Sequence, residues 1–126
     1  MSKAKQFSKN YIPLTPAIFY ILLSLATKEK HGYDIMKQVN LDSGGKVNLG
    51  PGTLYGAIKR MLDEKLILEI PSPKGADVRR RYYKLTEKGL GFMNIEIKRL
   101  NEIVELARKR NLLKAPAVVK LALVYV

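Results

Sequence analysis

The stretch Gly50–Lys65, GPGTLYGAIKRMLDEK, decides how the rest of the chain is read. Pro51 suits the first position of a helix, where its missing N–H has no partner to lose and its φ is already helical. Leu54, Ile58, Met61 and Leu62 then recur at helical spacing and form one apolar face. The opposite face carries Gly52, Thr53, Tyr55, Gly56 and Lys59. Glycine costs a helix about 1 kcal/mol relative to alanine, so a merely solvated face gains from Ala, Glu or Lys there. Two glycines beside a hydroxyl, a phenol and a cation predict a face that something large approaches closely. The major groove of DNA fits that requirement.

Composition points the same way. The chain has 126 residues, enough for one domain with a modest core, and 47% of them are hydrophobic. Lys and Arg exceed Asp and Glu by 23 to 11, a net charge of +12, which favours polyanionic partners, nucleic acid first. A chain without cysteine has no disulfide, thiolate metal site or thiol nucleophile. Met1–Asn10 is polar and lysine-rich rather than a secretory signal, so a cytoplasmic location is expected.

Upstream, residues 1–11 hold Lys3, Lys5 and Lys9 and little to bury, and are expected to be a mobile basic arm. Thr15-Pro16 is a helix start, Thr as N-cap and Pro in the first turn. The following Ala17–Ala26 is apolar nearly all round, yet too short for a bilayer, which needs ~20 apolar residues. No membrane partner is expected. A helix this apolar must be buried on most sides, and part of it, including Phe19, is expected to face a second subunit. Lys28–Gly32 reads as a turn and Tyr33–Asn40 as a short helix with Ile35, Met36 and Val39 inward. Leu41–Leu49 reads as a loop. Two helices joined this way, the second with a small, basic outer face, form a helix-turn-helix.

Downstream, Leu66–Pro71 reads as a strand, Ser72–Asp77 as a turn and Val78–Leu85 as the returning strand. The hairpin would carry Lys74 at its tip and Arg79, Arg80 and Arg81 on its return arm, with Arg79 and Arg81 on one face and Arg80 on the other. A plainly solvated, charge-protected edge strand is the alternative. Thr86 caps a long helix reaching about Arg110. Along it Met93, Ile97, Leu100, Val104 and Ala107 form a heptad seam, widened by Ile103 and Leu106. The seam is expected at a dimer interface, with packing on its own domain as the alternative. Ala115–Val126 is an apolar tail with one charge in twelve residues and no assigned role.

The stretches His31–Ile35 (HGYDI), Gly52–Tyr55 (GTLY) and Arg80–Gly89 (RRYYKLTEKG), in this order, resemble the N-terminal domain of PadR-type transcriptional regulators from about Leu14 to Leu106. The resemblance implies a mainly α fold with a small β-hairpin wing: a winged helix-turn-helix over residues 12–86, a C-terminal dimerisation helix over 87–113, and the tail from 114. It implies a homodimeric repressor of a near-palindromic operator in double-stranded DNA. Tyr55 matches the tyrosine that the family places against DNA. Thr53 and Lys59 flank it on the same face, and Lys74, Arg79, Arg80 and Arg81 fall in the basic wing. His31 is read as structural, at the start of the second helix. Some short members bind flat hydrophobic drugs between paired tryptophans; this chain has no Trp, so that sandwich cannot form. A small-molecule effector in a cavity near Phe19, Ile97 or Leu100 is compatible with the chain but not demanded by it.

The rival reading is a winged-helix protein-docking module without sequence-specific DNA binding. A docking helix would expose Leu, Phe or Met where this one presents Gly, Thr, Tyr and Lys. An enzyme is not expected: the chain has one histidine, no Gly-rich phosphate loop after a strand and no paired carboxylates, and no cofactor or metal site is read from it.

Overall fold

The computed structural model describes residues 15–75 and 79–114. The basic arm, the apolar tail and the far end of the expected hairpin turn lie outside the described residues. Within them the order is α1 (Pro16–Leu25), β1 (Lys30–His31), α2 (Gly32–Asp42), α3 (Pro51–Asp63), β2 (Ile67–Ile70), β3 (Tyr82–Leu85) and α4 (Glu87–Lys109). The three strands form one antiparallel sheet in the order β1-β3-β2. Two compact units divide between Asn94 and Ile95, within the span of α4.

In the first unit, α1 begins as its sequence requires. Thr15 is the N-cap, and its hydroxyl accepts from the Ile18 N–H at 3.2 Å. Ile18, Ile21, Leu22 and Leu25 are buried, and Phe19, Tyr20 and Leu23 pack half-buried against the same core. Within this unit α2, α3, the sheet and the start of α4 cover the buried side of α1, while Phe19, Tyr20 and Leu23, on the part expected to face a second subunit, stay partly exposed. Phe19 spends much of its surface on its own domain. Lys30 closes the far end of α1. Its Nζ donates to the Ser24 carbonyl and, at 3.1 Å, to Thr27 Oγ1, satisfying acceptors that a helix end leaves open. Burial, with Lys28 adding like-charge repulsion, holds the Lys30 ammonium below the usual lysine range.

Helix α2 runs two residues past its expected end. It stops where Gly44 (φ +62°) and Gly45 (φ +81°) turn the chain, and Gly45 N–H donates to the Asn40 carbonyl at 2.8 Å. Helix α3 buries Leu54, Ile58 and Met61, as the periodicity predicts. It ends with Lys65 in the left-handed region (φ 61°), which lets Leu66 N–H reach the Met61 carbonyl at 2.9 Å.

The sheet departs from expectation in two ways. Lys30–His31 is a strand, not only a turn, pairing Lys30 with Tyr83 and His31 with Tyr82. Strand β3 starts at Tyr82, so Arg79, Arg80 and Arg81 precede it and do not alternate across a sheet. Thr86 caps α4, its hydroxyl accepting from Gly89 N–H at 3.0 Å. Met93, expected on the dimer seam, is 2% exposed and belongs to the core of its own unit.

The second unit continues the helix from Ile95. Glu96 with Arg99 (2.8 Å) and Glu105 with Arg108 form i,i+3 pairs. Asn111 (φ 59°) ends the helix, and Leu112 N–H bonds the Ala107 carbonyl at 2.9 Å. Ile95, Ile97, Leu100, Ile103 and Leu106 are exposed, Val104 and Ala107 half-buried.

At Gly89, α4 passes close to the chain leaving α3. A Cβ there would lie 2.0 Å from the Leu66 carbonyl oxygen and 3.2 Å from Leu85 Cδ2. Backbone cannot yield as a side-chain tip can, so Gly89→Ala should cost about 3 kcal/mol or more, measured by urea unfolding.

Candidate nucleic-acid interface

The expected outer face of α3 is the observed one. Gly52, Thr53, Tyr55, Gly56 and Lys59 are exposed while Leu54, Ile58 and Met61 are buried. A Cβ built on Gly50, Gly52 or Gly56 meets nothing within 4 Å. Among the described residues, neither helical glycine is needed for packing. Gly50 is the N-cap and offers no side-chain hydrogen bond, so the first N–H groups of α3 lack the usual capping acceptor.

Tyr55 does two things at once. It is 50% exposed, yet its ring lies across Gly32 at the start of α2. A Cβ on Gly32 would stand 2.5 Å from the Tyr55 hydroxyl oxygen and 3.0 Å from Cζ. Gly32 therefore sets the direction in which Tyr55 leaves α3. The signal was present in the sequence, a glycine beside a histidine at a helix start, but its partner 23 residues away was not legible there.

The wing arginines are anchored differently from one another. Arg81 pairs with Glu69 across the hairpin at 3.5 Å, both largely exposed, a contact worth little on its own. The Arg80 carbonyl accepts from Ser72 Oγ at 2.8 Å, which ties the two arms together. Arg80 Nη1 lies 2.8 Å from His31 Nε2. Arg79 and Lys74 are exposed, Lys74 beside Gly75, whose φ of +88° makes the turn.

His31 is buried and is the N-cap of α2: its Nδ1 accepts from the Asp34 N–H at 3.2 Å. Its Nε2 also lies 2.9 Å from Asp34 Oδ2, and Tyr82 meets the ring edge-on at 5.3 Å between centroids. The structural role read from the sequence is present, and the contact to Arg80, 49 residues away, is added to it. His31, Gly32, Tyr33, Tyr55, Tyr83 and the three arginines together line an open cleft of about 420 Å³. Phenol hydroxyls and guanidinium groups around an open cleft suit an anion. Among the described residues no group of His, Asp and Glu could hold a metal, and no helix is long and apolar enough to cross a membrane.

This arrangement defines the class: a winged helix-turn-helix domain, two packed helices with a three-stranded antiparallel sheet beside them and a long helix after it. The model of the transcriptional regulator PadR-like family matches residues 21–94, more than half of the chain, and the chain belongs to that family. Among solved structures it is similar to a PadR family transcription regulator from Clostridium difficile R20291. The identity is 29%, the match covers 75% of this chain and 97% of that one, and the TM-score is 0.64. A transcriptional regulator from Clostridium thermocellum is 22% identical, over 73% of this chain and 89% of that one, with a TM-score of 0.59. Bacillus subtilis PadR, in a structure with operator DNA, is 24% identical over 64% of this chain and 45% of its own length, with a TM-score of 0.55. A curated protein of Lysinibacillus sphaericus, itself uncharacterized, is 22% identical over 68% of this chain and 79% of its own.

Tyr83, 2% exposed at the floor of the cleft, reports on whether the site is intact. Burial first, then the negative charge of Glu69 and the neighbouring Tyr55, raises its phenol above the usual value, with Arg81 opposing. The folded chain thus keeps a proton that the unfolded chain loses above about pH 10. Tyr83 therefore makes stability fall as pH rises through that range. In an alkaline titration followed at 295 nm, a late-ionising phenol should disappear in Tyr83→Phe.

Proposed function

We propose that the chain is a sequence-specific DNA-binding transcriptional regulator, acting as a homodimeric repressor on a near-palindromic operator. The observation that carries this reading is the outer face of α3, where two glycines stand in open space beside Thr53, Tyr55 and Lys59. An α-helix in a major groove needs such a low-relief face, because base edges lie at the floor of a groove ~12 Å wide. Thr53 and the uncapped N–H groups of the first turn would meet backbone phosphate. Tyr55 and Lys59 would face base edges, with Lys74, Arg79, Arg80 and Arg81 on the flanking backbone. The resemblance in fold to Bacillus subtilis PadR, whose structure includes operator DNA, supports the same use of the domain.

Pairing of two chains would use α4. Ile97, Leu100, Ile103 and Leu106 are large apolar side chains between 39% and 51% exposed, with Val104 and Ala107 beside them. Covering them in a partner's equivalent face removes that surface from water at roughly 25 cal/mol per Å². Two α3 helices would then address successive major grooves ~34 Å apart.

Gly56→Ala separates folding from recognition. Alanine should stabilise α3 by about 1 kcal/mol, since the position is open and helical. The same methyl on a groove-facing surface should weaken operator binding by roughly tenfold, about 1.4 kcal/mol. A raised melting temperature with unchanged DNA affinity would mean that this face does not enter the groove.

A further inference from the structure

We propose that His31 is a positioning residue for DNA binding: its ring holds the Arg80 guanidinium over the cleft beside Gly32 and Tyr55, making a preformed seat for one backbone phosphate. The proposal rests on the DNA-binding reading above and adds to it a residue and a contact between α2 and the wing.

A neutral imidazole has one N–H and one lone pair. With the proton on Nε2, Asp34 uses both: its N–H meets Nδ1 at 3.2 Å and its carboxylate meets Nε2 at 2.9 Å. Arg80 Nη1 lies 2.8 Å from Nε2 and 3.4 Å from Nδ1. A donor in line with the Nε2 lone pair would stand much farther from Nδ1, so the guanidinium corner rests on the face of the ring, as arginine does on aromatic faces. The edge of the ring thus caps α2 while its face supports the wing. An arginine held at one corner keeps its planar fork for a bidentate phosphate contact and loses less side-chain entropy on binding. Burial of the ring and the edge-on contact with Tyr82 fix its position. The Ser72–Arg80 bond fixes the backbone that carries the guanidinium.

His31→Asn is the test, because asparagine is a strong N-cap that accepts from the same N–H but is too short to share a ring with Arg80. Wild type, His31→Asn, Arg80→Ala and the double variant would be titrated by anisotropy against a labelled duplex of ~30 base pairs, about three helical turns. The titrations would be run at several salt concentrations, alongside thermal melts. His31→Asn should melt like wild type and bind about fivefold to tenfold more weakly, with the log–log salt slope reduced by ~0.9 per subunit. The double variant should be no weaker than Arg80→Ala alone. His31 is the only histidine of the chain, so its ring nitrogens can be followed directly by 15N NMR. Removing Arg80 should leave the proton on Nε2 and move the ring resonances, as loss of a cation from the ring face does; resonances that stay put would count against the contact. Unchanged or tighter binding by His31→Asn, or losses that multiply in the double variant, would overturn the proposal and leave the DNA reading intact. A wild-type chain that binds no duplex would overturn both.

Discussion

The burial of Leu54, Ile58 and Met61 is the interaction on which the rest depends. Each buried side chain of this size contributes about 1.5–3 kcal/mol, so the three together approach the ~5–15 kcal/mol that holds a whole domain folded. Successive residues of a helix are ~100° apart, so turning α3 by one position would expose all three and bury Tyr55 or Lys59 in their place. The inner face therefore fixes the outer one. What α3 presents to solvent is set by what its other side must hide, and the small, polar, basic surface is a consequence of the core.

The remaining elements hold that surface in register. Gly32 lets α2 approach the Tyr55 ring, and Gly89 lets α4 pass the carbonyl of Leu66 just beyond α3. Both ends of α3 are thus positioned by glycines that belong to other helices. The wing is tied to the same frame by the β1–β3 pairing, the Ser72–Arg80 bond and the His31–Arg80 contact. Charge then acts on a rigid shape. A net charge of +12 favours polyanions over several ångströms, and on the proposed reading the glycines and Tyr55 would decide how closely one docks.

Local signals were legible in the sequence and distant pairings were not. Thr15-Pro16, Pro51 and Thr86 mark helix starts because capping is a contact within one turn, and all three stand at helix starts in the structure. The apolar face of α3 was legible for the same reason. Strand β1 was not, since two residues carry no period and its hydrogen bonds go to Tyr82 and Tyr83, some fifty positions on. The arginine run reads as a strand by alternation, but strand pairing of β3 begins only at Tyr82. Met93 falls on the heptad seam by spacing, yet the core of its own unit covers it. Hydrophobicity says that a side chain must be hidden, not which surface hides it. The candidate interface divides likewise: Thr53, Tyr55 and Lys59 follow from helical spacing, whereas the approach of Tyr55 to Gly32 and of Arg80 to His31 needed the fold.

The most direct measurement is selection of bound duplexes from a random-sequence pool by the full chain, carried out at near-physiological salt. The account predicts enrichment of a near-palindrome whose half-sites are centred ~10 base pairs apart, one turn of the double helix. A pool that stays random through successive rounds, although the protein retains DNA at low salt, would contradict it. The positive charge would then be binding phosphate without reading sequence.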